Sequence, residues 1–219
     1  MADELVGPET AKAGQEVAKF GSKLIKAFEK AETLPKAQAF LGKVIGAPIE
    51  NLVGLVGDPL QYIRIRLLSY YQDKVEEILE QRGVKEPQAV SPSIAVPLIV
   101  AATNETREEL RELWAKLLAA AMDPSMANHV RLELIEAVKR LAPIDARILK
   151  IRYDHQAPLQ PNTVGFIAGV LKESRDEVEI STNNLASVNL MIGMGGALPF
   201  RYNDFHLSPL GRQLMRLVY

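Results

Sequence analysis

Cysteine is absent from the 219-residue chain, which excludes disulfides, thiol nucleophiles, iron–sulfur clusters and cysteine-ligated zinc. Its absence also suits a reducing compartment. Aromatic residues are scarce at 6%, with a single tryptophan, so there is little material for a sticky aromatic interface. No sign of charge dominates: 26 Lys and Arg face 27 Asp and Glu, and no third of the chain departs from neutrality by more than one charge. That excludes a strongly basic nucleic-acid coat and a polyacidic tail. Long apolar runs are missing too. The longest charge-free stretches, Pro87–Asn104 and Ile180–Phe200, are broken by three prolines and by Gly193-Met194-Gly195-Gly196. A spanning helix needs ~20 predominantly apolar residues, so none is expected. Met1-Ala2-Asp3-Glu4 is acidic where a signal peptide is basic, and the expected location is cytoplasmic.

What is present is a chain 47% apolar, enough to bury a core in one domain or two small ones. The periodicity is helical almost throughout. A first helix is expected from about Thr10 to Ala31, with Ala13, Val17, Phe20, Leu24 and Phe28 on one face. The glycine-rich residues 34–57 read as two short helices joined at Gly46–Pro48. Asp58-Pro59 starts a long helix with a stripe of Leu60, Ile63, Leu67, Tyr71, Val75 and Ile78, and Gly83 ends it. A short buried helix follows at about 92–102. Thr103 or Asn104 then caps a helix with Leu110, Leu113, Trp114, Leu117, Leu118 and Ala121 inward, which Asp123-Pro124 stops. A helix over His129–Leu141 places Leu132, Ile135, Val138 and Leu141 on one side.

The last 77 residues change character. A helix after Pro143, a short one at Thr163–Lys172 and one capped by Ser174 with Glu177 precede two strands, about 190–194 and 201–207. Ser208-Pro209 opens a closing helix. The expected fold is mainly α. It comprises a glycine-rich amphipathic helical segment (1–57), a helical core (58–142) and a winged-helix-like domain with one small β-hairpin (143–219).

A winged helix invites a DNA-binding reading, with Arg175, Asn183, Asn184 and Arg201 as the candidate contacts. The helix that would enter the groove opens Arg175-Asp176-Glu177, with Glu179 close behind, which repels phosphates. Packing or protein contact is the stronger reading. Catalytic constellations are thin. His129, His155 and His206 are far apart, and no HExxH, GxxxxGK[ST] or usable GxSxG is present. Arg201 and His206 match the RxxxxH spacing of a defence ribonuclease family, but on an expected strand that odd spacing sends them to opposite faces. No catalytic, metal or cofactor-binding residue is assigned, and no cofactor is expected. Trp114 reads as a packing anchor, Asp123 as a helix stop, and Asp145 as a charge favouring a helix N-terminus.

The sharpest functional alternative is the first helix. Lys19, Lys23, Lys26 and Lys30 flank an apolar side with Phe20, Leu24 and Phe28, a pattern suited to an anionic membrane surface. Each such lysine contributes ~1 kcal/mol there. The competing reading packs the same apolar face on the long helix as in any bundle.

A set of motifs carries a family resemblance. Gly57-Asp58-Pro59 with Tyr62 and Arg64 begins the long helix, and Glu80-Gln81-Arg82-Gly83 ends it. Glu112-Leu113-Trp114-Ala115-Lys116-Leu117-Leu118-Ala119 and Ala121-Met122-Asp123-Pro124 follow, then Leu141-Ala142-Pro143-Ile144-Asp145-Ala146-Arg147-Ile148-Leu149 and Leu207-Ser208-Pro209-Leu210-Gly211. Over roughly residues 57–219 the chain resembles the Abi-alpha family, associated with abortive infection and phage resistance in bacteria. The resemblance implies a role in defence against bacteriophage and carries over no catalytic residue. The expectation is therefore a bacterial phage-defence protein acting by binding. Its partner would be a protein or phage component, with an anionic membrane surface on the inner face as a second contact and self-association through the glycine-containing helices as a third. Nucleic acid is disfavoured. A winged-helix transcriptional regulator and a ribonuclease stand as the alternatives.

Overall fold

The computed structural model describes residues 33–46, 61–155, 163–193 and 205–219. The expected first helix, with Lys19, Phe20, Lys23, Leu24, Lys26, Phe28 and Lys30, lies outside the described residues, as do Asp58, Pro59 and Arg201. The described part is mainly helical: nine α-helices and one two-stranded antiparallel sheet. The chain divides into two compact units, Met1–Lys74 and Val75–Tyr219.

In the first unit, α1 (Thr33–Ile45) buries Ala37, Phe40, Leu41 and Val44, the i, i+3, i+4, i+7 stripe of an amphipathic helix. It ends at Gly46, whose φ of 74° is open to glycine at little cost. Helix α2 (Gln61–Gln81) crosses the unit boundary. Its buried stripe is Ile65, Leu68, Tyr71, Val75 and Leu79, with Leu67 beside it. Ile63, expected inward, is 42% exposed, and Ile78 is only half-buried. Two overlapping stripes are available in this apolar sequence, and packing selects the one rotated by a residue. The helix stops as expected: Gly83 takes φ 71°, its N–H donates to Glu80 O at 2.9 Å and Val84 N–H to Leu79 O at 2.9 Å. This is a Schellman motif.

In the second unit, α4 (Glu108–Met122) is the central helix, buried on nearly every side of its second half. Its neighbours are α3 (Pro92–Thr103), α6 (Pro143–Asp154) and α9 (Pro209–Val218), while α3 also packs on α5 (Leu132–Lys139). Trp114 is 1% exposed, the packing anchor expected of it. Helix α7 (Thr163–Leu171) and α8 (Arg175–Ser187) pack together and on α6. Strands β1 (Met191–Gly193) and β2 (Phe205–Leu207) pair with Met191 opposite Leu207 and Ile192 opposite His206. The hairpin rests on α6, α8 and α9.

Capping explains most boundaries. Ser174 Oγ accepts the Glu177 N–H at 3.1 Å to start α8, and Ser208 Oγ accepts the Gly211 N–H at 2.8 Å to start α9. Asn189, at φ 58°, closes α8 with Leu190 N–H on Leu185 O at 2.9 Å. Two expectations are corrected. Thr103 does not cap α4: it ends α3, donating its hydroxyl to Ile99 O at 2.8 Å, and Arg107 is the N-cap residue. The His129–Leu141 helix is shorter, because a 3-10 turn at Ala127–His129 and an extended Val130 precede α5. Leu132 is then 44% exposed, and Leu134 joins Ile135 and Val138 in the core. A helix this short leaves register to tertiary packing.

Candidate functional site

The turn joining α5 to α6 is where distant parts of the second unit converge on polar groups. Leu141-Ala142-Pro143-Ile144-Asp145 puts Pro143 at the first helical position and Asp145 two residues later, in the first turn. Asp145 is 1% exposed, and its Oδ2 accepts the Ala142 N–H at 2.7 Å, the backward-reaching half of a capping box. The same oxygen accepts Asn184 Nδ2 at 2.6 Å, and Oδ1 accepts the Ser181 hydroxyl. Asn184 also donates to Arg140 O at 3.1 Å, and Arg107 Nη1 donates to Leu141 O at 2.9 Å. The backbone of residues 140–142 is thus satisfied by three side chains from three different elements. Buried polar groups need such partners, and here they lock α8 against α6.

Arg107 extends the network to Glu105. Its Nε and Nη2 donate to the two Glu105 carboxylate oxygens at 2.8 Å each, and its N–H donates to Oε1 at 2.9 Å. Burial works to raise the Glu105 pKa, but the Arg107 hydrogen bonds and charge outweigh it and hold the carboxyl below its ordinary value. The hydrogen bonds that Arg107 donates to Glu105, against burial, and the charges of Glu105 and Asp145 hold Arg107 above its own. This pair lines a groove of about 480 Å³ together with Trp114, Val100, Asn104 and Lys139.

The outward face of α8 is different in kind. Asp176, Glu179, Ile180 and Asn183 recur at helical spacing and are all exposed, Ile180 at 64%. Arg175, at the first position, is exposed as well. Of the sequence-derived candidates, the structure keeps Arg175 and Asn183 on this surface and commits the half-buried Asn184 to the Asp145 network. His206 lies on β2, as expected, with its Nδ1 3.3 Å from Arg152 Nη2. His155 Nδ1 meets Ile151 O at 3.0 Å and its ring lies edge-on to Phe166. His129 stands on the 3-10 turn. Among the described residues, no three His, Asp or Glu side chains converge as a metal site would require, and no helix is long and apolar enough to cross a membrane.

Sequence reasoning missed Glu105, Arg107 and Ser181. Each acts through a partner far away or on a neighbouring turn, and only the E-x-R spacing of Glu105 and Arg107 hints at the pair. Comparison with curated proteins and with solved structures returned no match. Residues 65–195, however, match the family described as abortive infection alpha, a span that includes α4, the Asp145 turn and α8. That span is more than half of the 219 residues, and the chain belongs to the abortive infection alpha family.

Proposed function

We propose that the chain is a phage-defence protein of the abortive-infection type that acts by binding a protein partner through the outward face of α8. Family membership supports the defence role. The observation that carries the mode of action is the composition of that face. Helices α6, α7 and α8, the hairpin and α9 follow one another in winged-helix order, and on that reading α8 is the helix that would meet a DNA groove. Asp176 and Glu179 are exposed on that helix, and Ile180 lies between them and Asn183 along it. Carboxylates repel a nucleic-acid backbone, whereas an exposed isoleucine with acids and an amide suits a protein surface. Ile192, 50% exposed on β1, adds apolar area beside α8.

The test has two arms. Cells expressing the full chain should yield less phage than cells without it. The purified chain should show no salt-dependent binding to duplex DNA at about 50 mM salt, where phosphate contacts are strongest. Tight DNA binding lost on changing Arg175 would instead support a transcriptional regulator. The lysine face of residues 19–30 adds a membrane contact to the proposal on the strength of its amphipathic pattern. Flotation with anionic vesicles, abolished when Lys19, Lys23, Lys26 and Lys30 become glutamate, supports that part; undiminished flotation removes it.

A further inference from the structure

A second surface lies away from α8, where the 3-10 turn Ala127–His129 faces α9. The two enclose a cleft of about 480 Å³ lined by His129, Arg212, Gln213 and Arg216, with Met126 and Leu217 as its apolar part. Its walls are tied together. Gln213 Nε2 donates to His129 O at 2.7 Å, and behind them Arg82 donates to Leu217 O at 2.6 Å and to Met126 Sδ at 3.4 Å. Arg212 spends one donor on Leu207 O at 2.7 Å. Arg216 and the His129 ring are exposed and make no hydrogen bond or ion pair among the described residues. Among the described residues, no carboxylate lines the cleft. The acid that acts on Arg82 is Asp123, which is buried and accepts from Ser125.

We infer that this cleft binds an extended acidic peptide segment of a partner protein. Arg212 and Arg216 are one helical turn apart, a rise of about 6 Å. Alternate residues of an extended strand repeat at about 6.6–6.8 Å on one face, so acids at i and i+2 reach both arginines. Guanidinium forks match carboxylates, and a methionine-containing wall adapts to the apolar residue between them. Single-stranded nucleic acid would need stacking platforms, and among the described residues no Phe, Tyr or Trp lines the cleft. The inference rests on the reading that the chain acts by binding and assigns a chemistry to a second face.

Fluorescence anisotropy of the full chain with a labelled octapeptide of alternating Glu and Val tests it, at about 50 mM salt. The Glu-Val peptide should bind and its Gln-Val counterpart should not. Arg216→Glu should weaken binding about tenfold or more, Arg216→Ala less, and Lys85→Glu, an exposed charge outside the cleft lining, not at all. Failure of the Glu-Val peptide to bind, indifference to Arg216→Glu, or equal loss in Lys85→Glu overturns the inference. So does a labelled oligothymidylate that binds more tightly with the same dependence on Arg216. None of these outcomes touches the α8 surface, whose own variants decide the broader reading.

Discussion

Replacing Asp145 by alanine strikes the network that joins α6 to α8. Three donors lose their acceptor at once: the Ala142 N–H, the Ser181 hydroxyl and the Asn184 amide. Hydrogen bonds to a charged group contribute about 1.5–3 kcal/mol each, but these share one carboxylate and are not additive. Asp145 is 1% exposed, so water cannot readily replace it, and the expected loss is about 3–5 kcal/mol. For chains of 150–250 residues each kcal/mol shifts Tm by about 2–4 °C, which places the variant about 6–20 °C below the parent. Asp145→Asn keeps one oxygen and should fall between the two. The assay is thermal unfolding followed by circular dichroism, with Asn184→Ala and the double variant completing a cycle. A coupling energy of at least about 0.5 kcal/mol is expected between these two contacting residues. A Tm within about 2 °C of the parent, at most about 1 kcal/mol, would refute the claim that the carboxylate holds these donors.

Two glycines should respond to alanine for opposite reasons. At Gly83 nothing lies within 4 Å of a new Cβ and only the φ of 71° is strained, so Gly83→Ala should cost about 1–2 kcal/mol in a melt. At Gly211 the Cβ would sit 2.0 Å from the Leu190 carbonyl oxygen, so Gly211→Ala should cost about 3 kcal/mol or more and expose the β1–β2 amides to hydrogen exchange. The Glu105–Arg107 pair predicts an acid-limb effect. A carboxyl held below its ordinary value contributes stability above the unfolded pKa and loses it as pH falls through the folded one. Glu105→Gln should therefore narrow the stability gap to the parent as pH drops below about 4, measured by urea unfolding across pH.

Local chemistry made much of the fold legible. Gly83, Ser174, Ser208-Pro209 and Asp123-Pro124 mark helix ends because each acts on backbone groups within a few residues. The face of α4 was equally readable, since a helix buried nearly all round leaves no ambiguity of register. Where the reading failed, the deciding partner was distant. Thr103 and Asn104 have the chemistry of N-caps, yet the N-cap of α4 is Arg107, whose guanidinium reaches Leu141 O 34 residues away. Leu132 and Leu134 offer a short helix two faces, and tertiary packing chose between them. Asn184 has a base-reading side chain by type, and it was its bond to Asp145, 39 residues upstream, that committed it to the network between α6 and α8. The acidic opening of α8, by contrast, was plain in the sequence and is plain on the surface.

Ile180 is the residue on which the binding mode turns, because it is 64% exposed and outside every hydrogen bond of the Asp145 network. The most direct measurement is phage yield from cells expressing the parent chain or Ile180→Glu, with the Tm of both purified proteins determined alongside. Binding through α8 predicts an unchanged Tm and loss of protection in the variant. Full protection by a stably folded Ile180→Glu chain would contradict it.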